Sequence, residues 1–255
     1  MSKSMKFKAP AFLMALALTA PLALAAYADS PALPSAATAD QVTTSKLVYG
    51  LLSDSRYAYR PRALDAATSK DVFKRYLESL DGSKQFFTQA DITKFAPFES
   101  NISSAIRGGE LEPAFQVFAV YKQRVGERVG YARKLLKQDF DFSSDERFEY
   151  DRKDVPWAAS SAELDDLWRK SVKNDWLRLK LAGKQPADIR KTLDKRYAQL
   201  EKSVNELKGE DVFQFFLNAY TSAVDPHTDY FTPRTAENFN QAMSLSLEGI
   251  GAQLQ

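Results

Sequence analysis

The sequence predicts a mainly α protein, with a helical N-terminal domain over residues 40–240 and a change of pattern at its C-terminal end. Three observations carry that expectation. Apolar residues recur at steps of three, four and seven along most of the chain. Ser, Pro and Gly stand where those stripes begin and end. Alternation at period 2, the mark of a strand, is confined to Met243-Ser-Leu-Ser-Leu-Glu.

Helical periodicity begins at Asp40, after a Pro-, Ser- and Ala-rich stretch over 29–39 that reads as a mobile leader. Glu112-Pro113 opens a long helix, because Pro in the first turn forfeits only an N–H that has no intrahelical partner. Phe115, Phe118, Val125, Val129, Ala132 and Leu136 then form one stripe. Ser160 with Glu163 is a capping-box start for a helix carrying Leu164, Leu167, Trp168, Val172, Trp176 and Leu179, ending near Gly183. Pro186 starts the next, with Ile189, Leu193, Tyr197, Leu200, Val204 and Leu207 stopped by Gly209. So short a link should make these two helices an antiparallel pair. Residues 211–224 are apolar on nearly every side and predict a central helix. The Trp and Tyr residues sit at helical spacing and are expected in the core.

Two segments share a turn pattern. Asp81-Gly-Ser-Lys-Gln-Phe-Phe-Thr and Asp225-Pro-His-Thr-Asp-Tyr-Phe-Thr agree in the Asp, the aromatic pair and the Thr. Each should form a turn that returns two aromatics to the core, with Thr88 and Thr232 near the next helix start. Shared turn grammar explains this better than duplication. A lone strand after residue 243 has no ladder partner in a helical sequence, so a further domain is expected to begin near residue 244 and to be missing its remainder.

Composition narrows the chemistry. There are 35 Lys and Arg against 33 Asp and Glu, one His and no Cys. That balance argues against a dedicated nucleic-acid binder. The lack of Cys excludes disulfide frameworks, thiol catalysis and Cys-ligated zinc. Met1 to Ala28 reads as a cleaved signal peptide: Lys3, Lys6 and Lys8 precede the apolar run Ala11 to Ala26, and Ala26-Tyr-Ala28 is the cleavage pattern. The run is shorter than the roughly 20 residues of a membrane span and contains Pro21. Its removal deletes three Lys and leaves 32 bases against 33 acids, a near-neutral exported protein with no membrane span.

His227, the single histidine, lies in an Asp-Pro turn and is expected to hold that turn by hydrogen bonding rather than to act in catalysis. No Ser has a Lys three residues later, and Gly-x-Ser-x-Gly is absent. Residues 139–154 hold seven acids against three bases, and Asp139, Asp141, Ser143 and Asp145 imitate a calcium loop. The loop lacks its sixth-position Gly and its final Glu, so a connector pinned by Phe140, Phe142 and Phe148 is the better reading. Asp165-Asp166 reads as a solvated face. No metal or other cofactor is called for. Gly249, Ile250, Gly251 and Ala252 are the one sharp candidate. Two glycines around an apolar residue let successive N–H groups face one concavity that holds a carboxylate. The same pattern also fits a plain turn or bulge.

Asp225-Pro-His-Thr-Asp-Tyr-Phe-Thr-Pro, Asn238-Phe-Asn and Met243-Ser-Leu-Ser-Leu-Glu-Gly-Ile-Gly-Ala-Gln-Leu-Gln together resemble the tail-specific (carboxyl-terminal processing) proteases of bacterial periplasms. Tyr76-Leu-Glu-Ser-Leu-Asp-Gly-Ser-Lys-Gln-Phe-Phe-Thr-Gln-Ala-Asp and Asp141-Phe-Ser-Ser-Asp-Glu resemble the same proteins, so the likeness covers residues 40–255. It implies a periplasmic serine endopeptidase in which a helical domain precedes a PDZ domain and a Ser-Lys protease core. Residues 241–255 would then start a truncated PDZ domain. Gly249, Ile250, Gly251 and Ala252 would take the C-terminal carboxylate of a substrate tail, beside a pocket lined by Leu247 or Ile250. No residue of this chain inherits a catalytic role, and the chain alone is expected to be inactive. A non-catalytic helical module docking an envelope adaptor is the alternative expectation.

Overall fold

A computed structural model describes residues 36–244, in which eight helices follow one another: α1 (Ala39–Ser53), α2 (Ala66–Asp81), α3 (Gln89–Gly108), α4 (Glu112–Leu135), α5 (Ser161–Leu181), α6 (Pro186–Asn205), α7 (Gly209–Val224) and α8 (Pro233–Met243). The mainly α expectation holds for these residues. Helix α7 is central, as its all-round apolarity predicts: it packs on α2, α4 and α1 and buries Val212, Phe213, Phe216, Leu217 and Tyr220. Aromatic rings join three helices there. Phe216 lies 5.4 Å from Tyr76 of α2 and 5.6 Å from Phe98 of α3, ring centre to ring centre. The buried Tyr76 hydroxyl donates to the Ala114 carbonyl at 2.7 Å, so its polar end has a partner.

Helices α5 and α6 pack against each other and both pack on α4. The stripes read from the sequence are the buried faces of these helices, with Leu179, Leu200 and Leu207 partly buried at their edges. Helix α5 ends as its Gly183 requires: φ is +81°, the Gly183 N–H reaches the Lys180 carbonyl at 3.0 Å and the Lys184 N–H the Leu179 carbonyl at 3.1 Å. At its start, the Ser160 hydroxyl accepts the Glu163 N–H, but the Glu163 carboxylate takes the N–H of Ala159 rather than that of Ser160. The capping box is therefore half formed. Gly209 does not stop α6; the helix ends at Asn205, and Gly209 is the first residue of α7, whose Asp211 carboxylate caps the Lys208 N–H at 2.8 Å. Tyr57, Tyr59 and Tyr150 also depart from expectation and are exposed, because they lie outside the helical stripes.

The acidic connector between α4 and α5 is pinned as its aromatics predict. Phe140 stacks 5.4 Å from Trp176, and Phe142 packs beside it on the core. Phe148 packs on a small cluster of Ala158, Leu164 and Leu167. Asp165 and Asp166 diverge. Asp165 pairs with the buried Arg128 of α4, while Asp166 takes Arg169 and Lys170 of its own helix. Both carboxylates are largely solvated, and Asp165 in addition ties α5 to α4.

Helix α1 is held by polar groups. Its buried Ser45 donates to the Ile106 carbonyl of α3 at 2.9 Å, and Gln41 reaches the Gly209 carbonyl of α7 at 3.4 Å. Gly109 lets it sit this close. Gly109 has φ +86°, and a Cβ there would stand 2.4 Å from Val42 Cγ1. Gly109→Ala combines left-handed strain with a clash and is expected to cost about 2 kcal/mol. Thermal melts should show the midpoint falling by about 4–8 °C. An unchanged midpoint would mean that α1 does not rest on this glycine.

Candidate functional site

Gly249, Ile250, Gly251 and Ala252 lie outside the described residues, as does Leu247. Met243 and Ser244, the first residues of the expected strand, instead close α8: Met243 is its last residue, and the Ser244 N–H donates to the Asn240 carbonyl at 2.9 Å. What the structure describes is the part of the chain that leads to residue 244. It consists of α7, the turn from Asp225 to Thr232, and α8.

The two related turns can be compared atom by atom. In the first, Asp81 is buried at the end of α2, and its carboxylate accepts the N–H groups of Gln85, Phe86 and Phe87 at 2.7, 2.9 and 2.9 Å. Burial pushes this carboxyl up, against the pull of those N–H groups and the nearby Arg152 charge. Thr88 then caps α3 in a reciprocal box with Asp91, and Arg124 of α4 closes on Asp91 at 2.8 Å.

The second turn is bonded differently, and of the three matching N–H groups Tyr230, the counterpart of Phe86, has an acceptor outside the turn. The Asp225 carboxylate accepts the His227 N–H at 2.9 Å, and its carbonyl accepts the Thr228 N–H at 3.0 Å. Asn218 of α7 accepts the Tyr230 N–H at 2.6 Å, and Gln214 accepts the Thr232 N–H at 3.2 Å. Thr232 caps α8, as its place in the pattern predicts. Gln214 and Asn218, four residues apart on an otherwise apolar helix, are thus the acceptors that fix this turn. Arg234, beyond the cap, faces Asp211 at 3.5 Å.

The aromatics part ways between the copies. Phe87 is fully buried, and Tyr230 packs edge-on to Phe213 at 5.4 Å. Phe231, however, is 36% exposed and lies against Phe239 of α8, 48% exposed, at 5.2 Å. The expected return of both aromatics to the core therefore fails for the second, which sits against a helix without a buried residue among those described. Sequence reasoning passed over this face. Its signal was Phe239 and Met243, four residues apart behind a Thr-Pro helix start.

The other candidates go to separate partners. His227 holds its turn by hydrogen bonding, through its backbone N–H to the Asp225 carboxylate. Ser222 spends its hydroxyl on the Asn218 carbonyl at 2.6 Å. Asp139 pairs with Arg190, while Asp141 caps the Ser143 N–H, so the calcium-like positions do not converge. Among the described residues no group of three His, Asp or Glu side chains could hold a metal, and no helix is long and apolar enough to cross a membrane.

Comparison with known proteins agrees with the geometry. Residues 51–234 match the family described as the tail specific protease N-terminal domain, ending within the first turn of α8. The tail-specific protease of Haemophilus influenzae is 36% identical over 198 residues, 77% of this chain. The chain spans 28% of the length of that relative.

Proposed function

This chain belongs to the tail-specific protease N-terminal domain family, and on that premise we propose that it is the N-terminal part of a periplasmic tail-specific serine endopeptidase. The signal-peptide pattern of residues 1–28 supports export. In this reading the helical domain carries the chain to Gly249, Ile250, Gly251 and Ala252, whose N–H groups take the free carboxylate of a substrate tail. Leu247 or Ile250 lines the apolar pocket beside it. Cleavage is the work of a Ser-Lys dyad in the sequence that follows, where Ser attacks the scissile carbonyl and Lys accepts its proton. The observation that carries the reading is the family match over 51–234, followed after nine residues of helix by the alternating run and the glycine pair.

The test is cleavage by this chain extended with downstream sequence, on one substrate with a free C-terminus and the same substrate amidated. A charge-assisted hydrogen bond contributes about 1.5–3 kcal/mol, so amidation should lower kcat/KM about tenfold or more. Ile250→Pro, which deletes one N–H, should erase most of that preference. Equal cleavage of both substrates would remove the carboxylate role from 249–252, and failure to cut any tailed substrate would remove the protease reading.

A further inference from the structure

The connector between α4 and α5 is acidic in sequence, yet the cavity it forms with α5 is cationic. That cavity has a volume of about 300 Å³ and lies between residues 142–148 and 170–177. Phe142, Phe148 and Leu177 supply apolar wall, while Arg147, Lys170 and Lys173 stand against the single acid Glu146. The adjoining cavity is different: Arg147, Arg152 and Lys170 face Glu149, Glu163 and Asp166, so its charges cancel. The positive excess is local to the first cavity. Aromatic wall with a few convergent polar groups, at this volume, is the usual make-up of a small-ligand site.

The bonds already made divide the polar wall into engaged and free groups. Glu146 is engaged: its carboxylate takes Arg169 through two nitrogens, at 2.5 and 3.1 Å, and Lys173 at 2.5 Å. Arg169 first and Lys173 second hold this carboxyl down at about 2, so it stays ionised and neutralised. Lys173 also reaches the Ser144 hydroxyl at 3.4 Å and lies 5.6 Å over the Phe142 ring. Lys170 is paired with Asp166 at 2.7 Å. Arg147 and the side-chain amide of Asn174 have no hydrogen bond or ion pair among the described residues, and both line the cavity. We propose that this cavity binds an organic monoanion, a carboxylate carried on an apolar body about one residue in size. Arg147 takes the carboxylate, Asn174 donates beside it, and Phe142, Phe148 and Leu177 cover the body. The planar guanidinium matches a carboxylate through two parallel bonds, and one uncommitted guanidinium answers one negative charge. A free small carboxylic acid and the end of a polypeptide both offer this chemistry. The site does not rest on the carboxylate role of 249–252, and either can fail without the other.

An NMR titration of the isotope-labelled full chain with N-acetylphenylalanine tests it. The ligand should shift the amides of residues 142–148 and 170–177 and saturate in the millimolar range, as suits so small a molecule. N-acetylphenylalaninamide, the same body without the charge, should bind about tenfold more weakly or worse. The acid should lose about as much on Arg147→Gln. Because Arg147 is exposed and unbonded, that variant should keep the melting midpoint of the wild type. Lys46→Gln removes the same charge from the exposed side of α1 and should leave binding unchanged. A pentapeptide with a free C-terminal phenylalanine separates the two sources: tighter binding than the single residue assigns the site to a chain end, weaker binding to a small acid. Shifts at 249–252 report on the other role and are read apart. Equal binding of acid and amide would overturn the proposal, and so would an Arg147→Gln variant that binds the acid as the wild type does.

Discussion

Asp81→Ala is expected to destabilise the domain by about 4 kcal/mol, since an unmatched buried donor costs about 1–3 kcal/mol and three donors lose their acceptor. Those donors are the N–H groups of Gln85, Phe86 and Phe87, all bonded to the one carboxylate. The alanine methyl can accept none of them. The turn is also a junction: Gln85 gives its carbonyl to the Trp168 indole at 2.7 Å, and Gln89 donates to the Ala158 carbonyl at 2.8 Å. At about 2–4 °C per kcal/mol for a domain of this size, the midpoint should fall by about 8–16 °C. Asp81→Asn keeps the shape and one acceptor oxygen and should lose about half as much. If the alanine variant melts within 2 °C or so of the wild type, the three bonds are not what holds the turn.

Phe216→Ala is the second large effect. The ring is 1% exposed and stands between Tyr76 and Phe98, which join α2 and α3 to the central helix. Truncation of a buried Phe costs about 3–5 kcal/mol, the upper end applying where rigid neighbours cannot close the void. Three interlocked rings on three helices are such neighbours. The control is the adjacent Phe215, partly buried at the edge of the core, whose replacement by Ala should cost about 1 kcal/mol. Denaturant melts of the two variants compare them directly, and equal losses would mean that the ring cluster is not the centre of the core.

The helices were legible in the sequence because their signals are local. Glu112-Pro113, Ser160 and Pro186 mark helix starts whose chemistry involves only the next few backbone groups. Stripes such as Ile189, Leu193 and Tyr197 reveal a buried face through period alone. Gly183 ends its helix because it turns to positive φ, as a left-handed cap requires, whereas Gly209 opens the first turn of α7. The candidate site was legible in a narrower sense: Gly249 to Ala252 stand out only as a sequence pattern and lie outside the described residues, while the family match ends at residue 234.

Tertiary structure decided which long-range partners the polar residues found. Nothing within a few residues of Asp165 announces Arg128, 37 positions away. Asn218 and Gln214 read as interruptions of an apolar helix until the turn at Tyr230 and Thr232 folds back on them. The same holds for the two aromatic pairs. Phe87 with Phe95 and Phe231 with Phe239 share one spacing in sequence, yet one pair is core and the other lies at the surface. Sequence by itself determined the caps, turns and apolar faces, because those depend on backbone groups a few residues apart. The fate of each face depended on what the rest of the chain brings over it, and burial is a property of that whole arrangement.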